Sequence, residues 1–258
     1  MGNYVVTLAH AVSNEYGKSS GGKPGDQKQN SDNTKGELLF QDWYVSGDKW
    51  DCVLRAKTST IRHLIADDAI KAVRNKNIGY SQEKRYTLYD KAKNVGFDCG
   101  LVDTPVECDC SSLMTVCANY AGIPIPKDTR TANMKTRYTA TKSFKVYESN
   151  KYVLSSEYLK RGDILVRGGH HTACVANTLY HMTRELRYVE GNLMTGKDVK
   201  ALQNRLNDLN VVDTPLVIDG ELGRKTDAAI KAYQRQHNLE TDGIMGKNTA
   251  TSLGFLWR

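Results

Sequence analysis

A chain of 258 residues with 40% hydrophobic and 25% charged side chains has the balance of a globular protein and room for one large domain or two ordinary ones. No stretch reaches the roughly 18 consecutive apolar residues of a membrane-spanning helix, so no membrane insertion is expected. The net charge of +7 is uneven: residues 186–258 hold 10 basic and 9 acidic side chains out of 36 and 29, leaving +6 to residues 1–185 and favouring an anionic partner there.

Taken in order, the chain opens on Met1-Gly2-Asn3-Tyr4-Val5-Val6, with neither a basic leader nor a long apolar core, so a secretory signal is not expected. Val6 stands where a myristoylation signal needs a hydroxyl. Residues 13–36 have the Gly, Ser, Asn and Lys content of a loop, and Trp43, Tyr44 and Trp50 mark an aromatic segment after it. Residues 59–76 predict an amphipathic helix, with Ile61, Leu64, Ile65, Ala69, Ile70 and Val73 inward and Asp67, Asp68, Lys71 and Arg74 outward. The central stretch is Glu107-Cys108-Asp109-Cys110-Ser111-Ser112-Leu113. Asp109 is suited to cap a helix starting at Cys110, whose face carries Leu113, Val116, Cys117 and Tyr120 and which Gly122 and Pro124 end. A thiol among the unpaired N–H groups of a helix start is favoured as thiolate, the form a nucleophile needs.

Residues 127–150 are polar and predict a helix and a surface loop. Beyond them, Arg161-Gly162-Asp163-Ile164-Leu165-Val166-Arg167-Gly168-Gly169-His170-His171-Thr172-Ala173-Cys174-Val175 reads as turn, strand, glycine turn, strand. His171 opens the second strand, with Ala173 and Val175 on its own face and Thr172 and Cys174 on the other. A thiol at a helix start followed by a histidine opening a strand is the papain-like order of nucleophile and base. A one-residue shift would present His170 instead. The six cysteines are too few for a disulfide scaffold and are expected as free thiols, and Cys108 is the rival nucleophile to Cys110.

Asp109-Cys110-Ser111-Ser112-Leu113 resembles the Asp-Cys-Ser-Gly-Leu signature of NlpC-type cell-wall cysteine peptidases. Gly162-Asp163 with its strand, then His171-Thr172-Ala173, resembles that family's Gly-Asp strand and His-Val-Gly strand. The departures are Ser112 for Gly and Thr172-Ala173 for Val-Gly, all small. The resemblance spans roughly residues 78–183 and also fits the CHAP amidase/endopeptidases. It implies an α+β, papain-like catalytic domain over residues 1–185, with the Cys helix packed on an antiparallel sheet carrying the His. Cys110 would be nucleophile and His171 base, with Tyr80, Asp109 and Ser111 lining the substrate site. The third catalytic residue would follow on the next strand. A tight turn at Asn177-Thr178 would bring back Leu179-Tyr180-His181-Met182 and place His181 beside His171, with Asn177 second and Glu190 or Asn192 the CHAP-like choices. The loop Gly25-Asp26-Gln27 and the aromatic segment resemble an N-terminal extension of phage-type relatives, placed along the cleft.

Near the end, Asp219-Gly220-Glu221-Leu222-Gly223-Arg224-Lys225-Thr226 returns 23 residues later as Asp242-Gly243-Ile244-Met245-Gly246-Lys247-Asn248-Thr249. Each copy is a glycine turn leading to a threonine expected to cap a helix. Residues 193–256 resemble the type 1 peptidoglycan-binding domain, a small three-helix bundle assigned here to residues 193–258. Together these resemblances imply an endolysin-like monomer that binds bacterial peptidoglycan and cleaves a stem-peptide amide, of the D-glutamyl–diamino acid type, without metal or cofactor. With no leader expected, release from a phage host's cytoplasm or by a dedicated route follows. The rivals are a CHAP-type amidase, a zinc hydrolase, for which no His-Glu-x-x-His set exists, and a non-catalytic wall binder. No helix-turn-helix, zinc finger or aromatic-basic platform points to nucleic acid.

Overall fold

The structure is a computed structural model that describes residues 4–25, 33–45 and 49–257, less the side chains of 4, 5, 178–181 and 256. Asp26 and Gln27 of the expected cleft loop lie outside the described residues. The chain forms two compact units, one spanning Val6–Thr178 and one centred on Leu179–Arg258. No helix among the described residues is long and apolar enough to cross a membrane.

In the larger unit the chain runs through β1 (Tyr4–Ala11), β2 (Leu38–Asp42), β3 (Cys52–Ala56), α1 (Ser59–Arg74), β4 (Ile78–Tyr80), α2 (Thr87–Ala92), β5 (Val106–Cys108) and α3 (Cys110–Tyr120). It continues through α4 (Thr131–Ala140), β6 (Phe144–Tyr147), α5 (Asn150–Val153), β7 (Ile164–Arg167) and β8 (His171–Met182). The strands order as β2-β1-β8-β7-β3-β6, with β1–β2, β8–β7, β7–β3 and β3–β6 antiparallel. Alternation puts Cys52, Leu54, Ile164, Val166, Cys174 and Ala176 into the core shared with the helices. Val53, Leu165, Ala173 and Val175 are buried on the opposite face. With both faces covered, these strands read as near-continuous apolar runs.

Helix α1 starts where the Thr58 hydroxyl accepts the Ile61 N–H, and its last turn carries Lys71 and Arg74, which suit the negative end of a helix. It packs on α3. Asp68, expected outward, is fully buried, because its carboxylate accepts both the Cys99 N–H (2.8 Å) and the Cys99 thiol (3.2 Å). A polar partner supplied by a distant turn outweighed the pattern along the helix. Helix α3 begins with a complete capping box: Asp109 accepts the Ser112 N–H (2.7 Å), and the Ser112 hydroxyl accepts the Asp109 N–H (2.8 Å). Residues 110–118 are buried all round rather than on one face, since α1 and α2 both pack against this helix. The polar stretch after residue 127 holds β6 as well as α4, and β6 is the sheet edge beside β3.

The expected turn at Asn177-Thr178 does not form. β8 continues unbroken to Met182, and neither residue has the positive φ that a two-residue hairpin turn of the type I′ kind requires. The backbone of His181 pairs instead with Leu256 of a short final strand.

The smaller unit contains α6 (Lys197–Asp208), α7 (Arg224–Gln236), α8 (Lys247–Ser252) and β9 (Leu256–Trp257) around a core that includes Met182, Leu186, Val199, Leu202, Leu206, Leu222, Ile230, Tyr233 and Met245. The sequence repeat has a structural basis. Gln203 donates to Asp219 Oδ1 (2.7 Å) and the Glu221 carbonyl (3.0 Å) and accepts the Gly220 N–H (2.9 Å). Gln234 does the same with Asp242 Oδ1 (2.8 Å), the Ile244 carbonyl (3.0 Å) and the Gly243 N–H (2.9 Å). Thr226 and Thr249 are not caps. Gly223 and Gly246 occupy the cap positions, and each threonine sits inside the first turn, its hydroxyl accepting from the glutamine at 3.3 and 3.1 Å.

Candidate active site

Two local devices present Cys110. The parallel pair β4–β5 aligns Tyr80 with Cys108, and the capping box then turns the chain so that Cys110 is the first residue of α3. Two more present His171. The turn after β7 passes through Gly169 in the left-handed region (φ 76°), and Asp51 accepts the Gly168 N–H at 2.6 Å, so β8 starts at a fixed place. The backbone N–H groups of Thr172 and Ser111 both act on the Cys110 thiol and favour its anion. The sulfur therefore lies near Thr172, the residue next to His171.

The partner of the His171 ring comes from the other end of the sequence. His10 on β1, the strand beside β8, places Nδ1 2.7 Å from His171 Nε2. Burial pushes His10 down to about 3, the His171 ring adds to this, and Gln41 opposes it. Between two neutral rings one nitrogen donates and the other accepts, and the arrangement in which the His171 Nε2–H donates leaves Nδ1 of His171 for the thiol. Trp50 packs beside His171: its ring lies 6.1 Å from that of His171, and its indole N–H reaches the Tyr44 carbonyl at 3.3 Å. Tyr44 is half-buried. Its hydroxyl is pushed up, chiefly by burial, with Arg167 drawing it down and Cys110 adding to the rise, so the ring lies near the thiol.

Burial also decides the charge state. It pushes the Cys110 thiol up to about 12, Asp109 adding to it and the two N–H donors and Arg85 opposing. It pushes His171 down to about 4 against the pull of Asp109. A helix start favours an anion by only about 0.3–1 kcal/mol, less than one pKa unit, so desolvation wins. The resting pair is a neutral thiol and a neutral imidazole, not the thiolate that the helix position alone predicts.

Tyr80 is buried at the end of β4, its hydroxyl accepting from Gln82 at 3.2 Å and pushed up to about 12, chiefly by burial and also by Cys110 and Asp109. Asp109 and Ser111 adjoin Cys110, yet their polar atoms are spent on the protein itself. The Ser111 hydroxyl donates to Asp109 (3.0 Å), and the buried Arg85 reaches Asp109 (3.1 Å), Ser111 (2.9 Å) and the Thr129 carbonyl (2.5 Å). They brace the helix tip. Arg85 lies in the unremarkable run Ser81-Gln82-Glu83-Lys84-Arg85, where no sequence signal marks it. His10 had one: a lone histidine inside the apolar strand Leu8-Ala9-His10-Ala11.

Asn177, His170 and Cys108 are not brought to the site. Asn177 is six residues along β8 from His171, about 20 Å at the usual strand rise. The side chain of His181, four residues further on, lies outside the described residues. His170 is exposed on the turn. Cys108 is fully buried, its thiol directed to the Gly79 carbonyl at 3.6 Å and pushed far up by burial. Glu190 is ion-paired with Arg224 within the smaller unit. Among the described residues no three His, Cys, Asp or Glu side chains gather as a metal site.

Comparison with known proteins agrees with this division. The chain is 41% identical over 81 residues to the N-acetylmuramoyl-L-alanine amidase CwlM of Mycobacterium tuberculosis (strain ATCC 25618 / H37Rv), a match that covers 31% of this chain and 18% of that protein. No solved structure matches the chain. Residues 195–253 match a peptidoglycan binding domain. Residues 8–179, which hold His10, Cys110 and His171, match the endolysin-like domain, and the chain belongs to that family.

Proposed function

We propose that this protein is a peptidoglycan hydrolase that cleaves a stem-peptide amide by acyl transfer through Cys110. The observation that carries the reading is the convergence of three distant segments: the Cys110 thiol against the backbone beside His171, and His171 hydrogen-bonded to His10 at 2.7 Å. The matches to the endolysin-like and peptidoglycan binding domains support the substrate class.

In this mechanism the bound peptide carbonyl approaches the sulfur as the thiol proton passes to Nδ1 of His171. The thiolate adds to the carbonyl carbon, and the oxyanion is received at the start of α3 by the Cys110 N–H, which has no intrahelical acceptor. The imidazolium gives its proton to the departing amine. Water, deprotonated by His171, then hydrolyses the thioester and returns the proton to the sulfur. His10 acts as a positioning residue throughout: uncharged, it fixes the tautomer and orientation of His171 and accepts its Nε2–H when the ring becomes charged. Tyr80 and Tyr44 flank the carbonyl, and Trp50 keeps water from the His171–His10 bond. The bond attacked is of the D-glutamyl–diamino acid type.

Cys110→Ala is expected to abolish wall lysis with wall binding retained, and Cys108→Ala to lyse like the parent. Lysis by Cys110→Ala sinks the reading. The second reading, an amidase cutting next to the glycan, is favoured by the name of the mycobacterial relative. Mass spectrometry of the released fragments separates the two, since an amidase frees intact stem peptides.

A further inference from the structure

The smaller unit carries a cleft that the catalytic reading does not use. It has a volume of about 410 Å³, within the usual range for ligand pockets, and is formed by residues 184–195, most of which precede the matched binding domain. Its walls are held in place. Arg184 forks onto Asp198 (2.6 and 3.1 Å) and reaches the Thr195 carbonyl (2.7 Å), tying the two ends of the segment together. Leu186 exchanges two backbone hydrogen bonds with Met245, the Arg187 N–H donates to the Met194 sulfur (3.3 Å), and the Met194 carbonyl accepts the Leu222 N–H (2.9 Å).

This bracing fixes what the cleft offers. Arg184 is neutralised by Asp198, so the charges left to a ligand are Glu185 and Arg187. Leu186 between them is fully buried, so in extended backbone the two point to the same side, about 7 Å apart by strand rise. Beside them Val189 and Leu193 are each 39% exposed, with the Asn192 amide adjacent. An acid, a base and a small apolar wall are complementary to a short zwitterionic peptide, with one free amine, one free carboxylate and methyl-sized side chains.

We propose that this cleft is the recognition site of the smaller unit and that it takes the stem peptide of the wall rather than its sugars. Arg187 receives a carboxylate as a charge-assisted pair, Glu185 the free amine of the diamino acid, and Val189 and Leu193 the alanyl methyls. The inference rests on the peptidoglycan reading above.

The test uses the full chain in two assays: retention on purified walls in the cold, and turnover of a soluble stem tripeptide. Arg187→Glu and Glu185→Lys are each expected to weaken wall retention about tenfold or more, with turnover unchanged. The free tripeptide should compete for retention and a chitin oligosaccharide should not. Val217→Ser, at the exposed Val217–Ile218 pair elsewhere on the unit (73% and 40% exposed), should retain like the parent. Parental retention by both charge variants, or competition by the oligosaccharide alone, overturns the cleft and leaves the hydrolase reading standing. A parent that turns nothing over, yet loses retention with Arg187→Glu, sinks the hydrolase reading and supports the cleft.

Discussion

His10→Ala isolates the hydrogen-bond partner of the proposed catalytic imidazole, His171. The contact is 2.7 Å long and His10 is 1% exposed, so bulk water is not at hand to replace it. A hydrogen bond to a charged group contributes about 1.5–3 kcal/mol. His171 is uncharged at rest and becomes imidazolium only as the thiol gives up its proton, so most of that contribution falls on the activated state. At about 1.4 kcal/mol per decade, kcat/KM should fall roughly 10- to 150-fold, through kcat more than KM. His10→Asn carries an oxygen at nearly the same branch point as Nδ1 and should return to within a few-fold of the parent. The assay is turnover of a soluble stem peptide, with thermal unfolding to confirm that both variants fold. Full activity in His10→Ala, or an Asn variant as impaired as the Ala variant at equal stability, refutes the positioning role.

Both buried imidazoles make acid stability a second test. Their folded values, about 3 and about 4, lie below the ordinary 6.5, so each contributes stability that is complete above pH 6.5 and is lost as pH falls toward its folded value. Thermal midpoints should drop from pH 6.5 to 4, and His10→Gln should flatten that slope by about one proton. Gly162→Ala should cost on the order of 3 kcal/mol or more: at φ 81° a Cβ would stand 1.9 Å from the Arg62 carbonyl oxygen, and no flexible side chain is there to move. Denaturant unfolding measures it, and a loss below 1 kcal/mol would contradict the packing of α1 on that turn. Gln234→Leu strips partners from the buried Gly243 N–H and Thr249 hydroxyl, at about 1–3 kcal/mol for each unsatisfied group. It should lower wall retention while soluble-peptide turnover persists; unchanged retention and unfolding would show the clasp to be dispensable.

The Cys110 helix, the His171 strand and the repeat were legible because each is written within a few neighbouring residues. A cap three positions from its donor, a glycine turn and a two-residue alternation need no knowledge of the rest of the chain. What could not be read depends on residues far apart. His10 and His171 are separated by 161 positions and meet only because β1 lies beside β8. Asp68 turns inward for a partner at Cys99, and β8 runs straight through Asn177-Thr178, where a family-like order suggested a turn. The neutral state of the thiol was also out of reach, because it follows from burial contributed by many segments and not from the helix start.

Every one of the six cysteines is buried and unbridged, and burial holds the Cys110 thiol toward its protonated form. Peroxides and disulfides react with thiolates far faster than with protonated sulfur. Burial of this kind slows the oxidation of a thiol, so activity is expected to survive exposure to peroxide without added reductant.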